Sequence, residues 1–289
     1  MTDKRLKTRA KINLSLDVLR KREDGYHEVE MVMQTIDLYD ELEFRLTPRE
    51  ISIHCDHPQV PEGEGNTAFA IAQLLKREYG VDRGVAITIH KNIPVAAGLA
   101  GGSANGAGTL KALNELWGLG LTQAELMSLG RRVGADIPFC LLEGTALARG
   151  IGEVLHPLPP LPPTWMVLVK PDLSVSTPWV YANLDLEALA HRPDTKKVMD
   201  AIALQDMGQA LPYLHNVLEE VTIGAYPEIQ GIKEDLERLG ARKALMSGSG
   251  PSVFGICENQ RQAEDIYHRM RTRYRDTFLV KTYNGEVAT

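Results

Sequence analysis

The chain has 289 residues, about two domains at roughly 150 residues each. A hydrophobic fraction of 44% and a charged fraction of 24% exclude a disordered chain. Lys and Arg number 32 against 38 Asp and Glu, a formal net charge of −6, which excludes a nucleic-acid binder working through a broad basic face but leaves room for a local basic pocket.

The first residues, Met1-Thr2-Asp3-Lys4-Arg5, lead into no apolar run, so no signal peptide is expected. The densest apolar stretch, Trp165–Val169, is far short of the roughly 18 residues of a membrane span. Cys55, Cys140 and Cys257 are widely spaced, odd in number and contain no CxxC, the pattern of a reducing compartment. A cytoplasmic protein is expected, as monomer or homodimer, with no membrane and no nucleic-acid partner.

Ala10–Asp17 alternates, with Ala10, Ile12, Leu14 and Leu16 on one face and Lys11, Asn13, Ser15 and Asp17 on the other, which predicts a half-buried strand. A charged loop follows over residues 21–27, then strands over Val29–Ile36, Glu41–Leu46 and Ile51–Cys55. Thr67–Tyr79 has helical spacing, Val85–Ile89 alternates, and Pro94–Gly102 is small and glycine-rich. A helix is predicted from about Ser103, with Leu110, Leu113 and Trp117 as its stripe. Thr122 and Glu125 form a capping box for another, ending near Gly134. Pro157–Pro163 holds five prolines, which rules out a regular helix or central strand and marks a crossing between a domain at 1–156 and one at 164–289. Beyond it the order is strand (Trp165–Lys170), helices (177–239), strand (Ala241–Met246), strand (Ser252–Cys257), helix (Gln260–Tyr274) and strand (Phe278–Tyr283). With the middle helices taken as one crossover this is β-α-β-β-α-β, a ferredoxin-like pattern in an α+β chain.

The segment Pro94-Val95-Ala96-Ala97-Gly98-Leu99-Ala100-Gly101-Gly102-Ser103-Ala104-Asn105 follows a strand and opens a helix. Small residues there let backbone N–H groups approach a polyphosphate, and the helix start adds aligned donors; the plainer reading is a tight strand-to-helix turn. It is neither a P-loop nor GxGxxG. Ser247-Gly248-Ser249-Gly250-Pro251 could wrap the same anion or simply connect two strands. Lys11 and Asn13 point the same way, toward a phosphate or toward water. Asp136, between small and apolar residues, suits a general base, a metal ligand or a helix cap. Tyr26 and His27 could stack on a base or form a surface turn; Trp179 and Tyr181 could pack in a core. His54-Cys55-Asp56-His57 has ligand-type residues but no second ligand pair at zinc spacing elsewhere, so an exposed strand end is expected.

Together these segments resemble the galactokinase, homoserine kinase, mevalonate kinase and phosphomevalonate kinase (GHMP) superfamily, whose signature Pro-x-x-x-Gly-Leu stands at Pro94–Leu99. Ala10–Leu14, Asp24–His27, Gly134–Phe139 and Ser247–Pro251 occur in the order of one branch, and the resemblance runs from about residue 8 to about 283. It implies a two-domain kinase fold and ATP-dependent phosphorylation of the 2-hydroxyl of 4-diphosphocytidyl-2-C-methyl-D-erythritol, on the non-mevalonate route to isoprenoid precursors. It also implies that Asp136 accepts the hydroxyl proton and that Lys11 pairs with it and steadies the reacting phosphate. By the same resemblance Pro94–Ala104 binds ATP with Mg2+, Asn66 lies near the adenosine, Tyr26, His27 and Tyr181 hold the cytidine, and Asn13 and Thr177 lie on the acceptor side. One departure stands out: where the family often has a second serine, Ser103 is followed by Ala104-Asn105, so one hydroxyl near the phosphates is missing. Gly106 and Gly108 should also weaken that helix by about 1 kcal/mol each relative to Ala. The competing expectations are another kinase of the superfamily, or a non-catalytic binding protein on its fold; the Tyr26-His27 loop argues against the first and the presence of both Lys11 and Asp136 against the second.

Overall fold

The computed structural model describes residues 3–285. Its first two strands are long. β1 (Lys4–Lys21) extends the predicted strand at both ends, and β2 (His27–Thr47) fuses the two strands expected over 29–36 and 41–46. The polar face of β1 is not solvated: Lys11, Asn13, Ser15 and Asp17 are as buried as the apolar residues between them. Both faces are covered, and a buried polar row must find partners.

Packing divides the chain into two compact units that do not follow chain order. The first holds the chain through Ala10, Leu38–Val95 and Ala100–Leu142; the second holds Lys11–Asp37, Ala96–Leu99 and everything from Glu143 on. Pro157–Pro163 falls within the second.

In the first unit, β3 (Ile51–Cys55), α1 (Thr67–Glu78) and β4 (Gly84–His90) precede α2 (Gly101–Leu116), α3 (Gln123–Arg131) and α4 (Ile137–Leu142). β4 pairs antiparallel with the far half of β2, Glu41↔His90 through Thr47↔Gly84, and parallel with β3. The helices cover this sheet around Phe44, Ile71, Leu75, Ile87, Leu110 and Ile137. The capping box is present, Thr122 Oγ1 accepting from Glu125 N and the Glu125 carboxylate from Thr122 N. α4 escaped the sequence reading because its six residues are apolar on every side and show no period.

Gly106 and Gly108 do not merely weaken α2. A Cβ on Gly106 would stand 2.7 Å from Thr67 Cγ2, and one on Gly108 would stand 2.3 Å from Thr8 Cγ2. Their missing side chains let α2 approach α1 and β1, and the propensity cost is set against that packing.

In the second unit, β5 (Thr145–Arg149) pairs antiparallel with β2, Met31↔Ala148 through Gln34↔Thr145, and β6 (Val154–Pro157) closes a hairpin on it. These strands of five and four residues were not expected from sequence; alanine in β5 gives little strand signal. β7 (Trp165–Lys170) is followed by α5 (Thr177–Ala182), α6 (Thr195–Ala203), α7 (Met207–Ala210), α8 (Glu219–Ala225) and α9 (Glu228–Arg238). β8 (Lys243–Met246), β9 (Val253–Ile256), α10 (Gln260–Arg271) and β10 (Asp276–Lys281) complete the unit. The sheet runs β10-β7-β9-β8 with every pair antiparallel, the ferredoxin-like arrangement, and α9 and α10 pack on it. The proline segment is tied to the end of β10: Asn284 Nδ2 donates to Leu161 O at 2.7 Å and Thr282 Oγ1 to Pro162 O at 3.0 Å.

Candidate active site

The glycine-rich segment leaves β4 and bends through a run of left-handed residues, Ala96 (φ 50°), Gly98 (φ 75°) and Ala100 (φ 56°). Two are alanines in a conformation that L-residues rarely adopt. Gly98 is required by space as well as by φ, since a Cβ there would fall 2.2 Å from Ser247 O. α2 then starts from Ala100 with no side-chain cap, so the first N–H groups of this 16-residue helix are left for another acceptor. A cradle of small residues at an uncapped helix start fits a polyphosphate.

Within the second unit, several expected residues come together around this loop. Lys11 N donates to Leu99 O at 3.1 Å, and Lys11 Nζ, on a side chain buried in β1, donates to Asn13 Oδ1 at 2.8 Å. Asn13 Nδ2 in turn donates to the Met31 sulfur at 3.2 Å. Ser247 Oγ donates to Gly98 O at 3.0 Å, so the second small-residue loop packs directly on the first. A Cβ on Gly248 would lie 3.5 Å from Asn13 Oδ1, and the Thr177 and Ser249 hydroxyls share a hydrogen bond of 2.6 Å.

The Tyr26-His27 loop is a tight turn. Arg22 N donates to Tyr26 O, Tyr26 N donates to Asp24 Oδ1, and the Arg22 guanidinium holds the Asp24 carboxylate, whose pKa lies below the usual range for that reason. The Tyr26 side chain is 60% exposed. The ring that meets Tyr181 is that of His27, with centroids 5.3 Å apart and planes tilted by 33°. Burial, assisted by the charge of Lys21, lowers the His27 pKa, which favours a neutral, stackable imidazole. Trp179 is not a core residue; it is 40% exposed and lies edge-on to Tyr226.

In the first unit, Asp136 is half-buried in the turn between α3 and α4, and its carbonyl accepts from Cys140 N at 3.1 Å, opening α4. The start of α2 packs near this turn: a Cβ on Gly134 would lie 3.7 Å from Ser103 Oγ. Ala104 is part of the core, and Asn105 Oδ1 accepts from Thr8 Oγ1 at 2.8 Å. The two positions after Ser103 are therefore buried. Asn66 caps α1, accepting from Ala68 N at 2.8 Å while its Nδ2 donates to Pro61 O at 2.8 Å.

Asp40 and Lys91 had not been singled out. Buried Asp40 Oδ1 accepts from Asn92 N and Ile93 N, each at 2.8 Å, and its Oδ2 pairs with Lys91 Nζ at 2.8 Å. This ion pair shapes the entry to the glycine-rich segment, and a Cβ on Gly101 would lie 3.0 Å from Lys91 Nζ. A signal existed: Ile36, Leu38, Asp40, Leu42 and Phe44 share one strand face, so Asp40 is a carboxylate on an apolar stripe. The ligand-type residues at 54–57 turn to separate partners, His54 Nδ1 to Glu62 at 3.0 Å and Asp56 to Lys91 N at 2.9 Å.

The model for the GHMP kinase N-terminal domain matches residues 66–144, and that for the C-terminal domain matches residues 196–276. A 4-diphosphocytidyl-2-C-methyl-D-erythritol kinase of Acetivibrio thermocellus is 50% identical over 96% of this chain and 98% of its own length. One from Geobacillus kaustophilus is 51% identical over 96% of each chain. A crystal structure of 4-(cytidine 5'-diphospho)-2C-methyl-D-erythritol kinase superposes with a TM-score of 0.83 at 34% identity, covering 98% of this chain and 100% of that one. The chain belongs to the GHMP kinases, in the 4-diphosphocytidyl-2-C-methyl-D-erythritol kinase family.

Proposed function

We propose that this chain catalyses the ATP-dependent phosphorylation of the 2-hydroxyl of 4-diphosphocytidyl-2-C-methyl-D-erythritol, in the methylerythritol phosphate route to isoprenoid precursors. The observation that carries the reading is Lys11, a buried lysine on β1 whose backbone is bonded to the glycine-rich loop and whose ammonium is bonded to Asn13. A buried cation there neutralises phosphoryl charge, and phosphoryl transfer depends chiefly on positioning and charge neutralisation.

Pro94–Ala104 holds the triphosphate on backbone N–H groups, with Asn66 shaping the adenosine side through its cap on α1. Asp136 takes the proton of the acceptor hydroxyl as the new O–P bond forms and the bond to the ADP oxygen breaks. His27 and Tyr181 receive the cytosine with Tyr26 beside them, and Asn13 and Thr177 face the acceptor polyol. When bound, ATP supplies the phosphoryl group and Mg2+ the charge that neutralises its oxygens. Mg2+ would arrive with the phosphates as MgATP, and the Ser103 hydroxyl at the start of α2 would offer it an oxygen donor. The cysteines are free and buried, the pattern of a reducing compartment, which supports a cytoplasmic enzyme; no helix of the described residues is long and apolar enough to cross a membrane.

A coupled ADP-release assay with 4-diphosphocytidyl-2-C-methylerythritol, galactose, homoserine and mevalonate tests this. Turnover confined to the cytidine-bearing acceptor is expected. Turnover on another alcohol alone would replace the reading with that of another kinase of the superfamily.

A further inference from the structure

The Ser247–Pro251 loop touches the glycine-rich segment, Asn13 and Thr177 on one side, yet it is made of small residues with no bulky side chain to pin it. It is buried, so its backbone groups need partners. Two of its carbonyls, with both backbone groups of Met246 just before it, are held by three buried side chains from one segment, spaced three apart. Asn216 Nδ2 donates to both Met246 O and Gly248 O at 2.8 Å. Glu219 Oε1 accepts from Met246 N at 2.7 Å, and its other oxygen pairs with Lys233. Thr222 Oγ1 donates to Ser249 O at 3.3 Å. Positions 216, 219 and 222 fall on one side of a helical path, which explains how one segment reaches along the loop. The segment is also tied to β1, the strand of Lys11 and Asn13: Leu16 N donates to His215 O at 2.9 Å and Val217 N to Leu16 O at 3.0 Å.

We propose that Asn216, with Glu219 and Thr222, forms a positioning clamp that sets the Ser247–Pro251 loop, and through it the Gly98 carbonyl and the Thr177 hydroxyl, for phosphoryl transfer. The clamp rests on the proposed reaction only for its kinetic consequence. None of its side chains is among those assigned to ATP or to the acceptor. Asn216 satisfies one carbonyl of the loop and one at the end of β8 with a single amide while its own Oδ1 accepts from Leu218 N at 3.0 Å, so the amide has a single orientation. An aspartate there keeps the shape and that acceptor, but faces an oxygen toward two carbonyl oxygens.

Asn216→Asp is expected to lower kcat about tenfold to a hundredfold, the scale of a misplaced reacting group. KM for ATP and for the acceptor should stay within about threefold. Thr222→Val, which loses only the hydroxyl, should lower kcat in the same direction by less, and Thr222→Ser should restore it. Amide hydrogen exchange should quicken at residues 248–250 in Asn216→Asp, with β8 and β9 unchanged. A lowered melting midpoint with unchanged kcat would make the set merely structural and overturn the proposal. Unchanged exchange at 248–250 overturns it too, whatever the acceptor, and is also readable in Thr222→Val if Asn216→Asp does not fold. Absence of turnover by the unsubstituted chain on the cytidine-bearing acceptor would instead overturn the proposed reaction, and the exchange measurement would still decide the clamp.

Discussion

Asp136 occupies the turn before a six-residue helix, where its carbonyl serves that helix, and asparagine keeps the side chain's shape while removing the proton acceptor. Asp136→Asn is expected to lower kcat by about 10²–10⁴-fold, the usual range for a lost general base, with the melting midpoint nearly unchanged. Near-normal turnover would reduce Asp136 to a structural turn residue. Tyr181 carries the ring that meets His27, so Tyr181→Ala should weaken acceptor binding, and competition by CDP, by about fivefold to over a hundredfold while KM for ATP holds; stacking in nucleic-acid sites supplies that scale. A raised KM for ATP instead would place the cytidine elsewhere. His215 carries a pH dependence. Burial pushes its imidazole below the ordinary 6.5, against the pull of Glu219, and its Nε2 is buried without a hydrogen-bond partner among the described residues. As pH falls through about 6.5 the unfolded chain takes up a proton that the folded chain refuses, so stability is lost on acidification toward the folded pKa. Melting midpoints from about pH 7.5 to about pH 5.5, a window that spans the ordinary value, should fall less steeply in His215→Gln than in the unsubstituted protein. Parallel slopes would remove His215 from the account.

α2 shows how an element can be poor by propensity and right by packing. Ala is a better helix former than Gly, so Gly108→Ala taken alone predicts about 1 kcal/mol of stabilisation. The structure predicts the reverse, because the new Cβ would meet Thr8 Cγ2 at 2.3 Å, and overpacking of this kind costs about 1–3 kcal/mol. Thr8→Ser removes that methyl while keeping the hydroxyl that donates to Asn105. Denaturant midpoints should therefore fall in Gly108→Ala and recover in the double variant Gly108→Ala/Thr8→Ser. A gain in the single variant would mean that α2 has room to move. Nothing in the sequence distinguishes these glycines from ordinary helix weakeners, since the atoms that forbid a side chain lie about a hundred residues away in Thr8 and about forty away in Thr67.

At the scale of the whole molecule, a ligand that binds only the folded chain must raise its stability by mass action, about 2.7 kcal/mol at a hundred times Kd. ATP with Mg2+ is expected to raise the melting midpoint, and chelating the Mg2+ should abolish most of that rise. The triphosphate would then meet the uncapped start of α2 without its counter-charge. An equal rise with ATP alone would mean that the chain's own cations neutralise the phosphates.

Much of the architecture was legible along the chain because it rests on local physics. β7 coincides with the predicted strand, the Thr122–Glu125 box caps α3, and the order β-α-β-β-α-β yields the sheet β10-β7-β9-β8. Period, capping and turn chemistry act over a few residues and leave their mark in sequence. The ordered motifs likewise pointed to a GHMP kinase, since a glycine-rich strand-to-helix turn, a lysine and a carboxylate are residue types that the chemistry demands. The alternation of β1 was legible too, but its consequence was not: the face with Lys11 and Asn13 reads as solvated and is buried, because burial depends on what the rest of the chain lays over a strand. The same holds for the Asp40–Lys91 pair and the Asn216–Glu219–Thr222 clamp, which join groups about fifty and about thirty residues apart. Sequence by itself determined which elements form and what chemistry they carry, through interactions between near neighbours. Tertiary structure alone decided which polar groups are buried and what they hold, because a buried hydrogen bond is defined by partners brought together only when the chain folds.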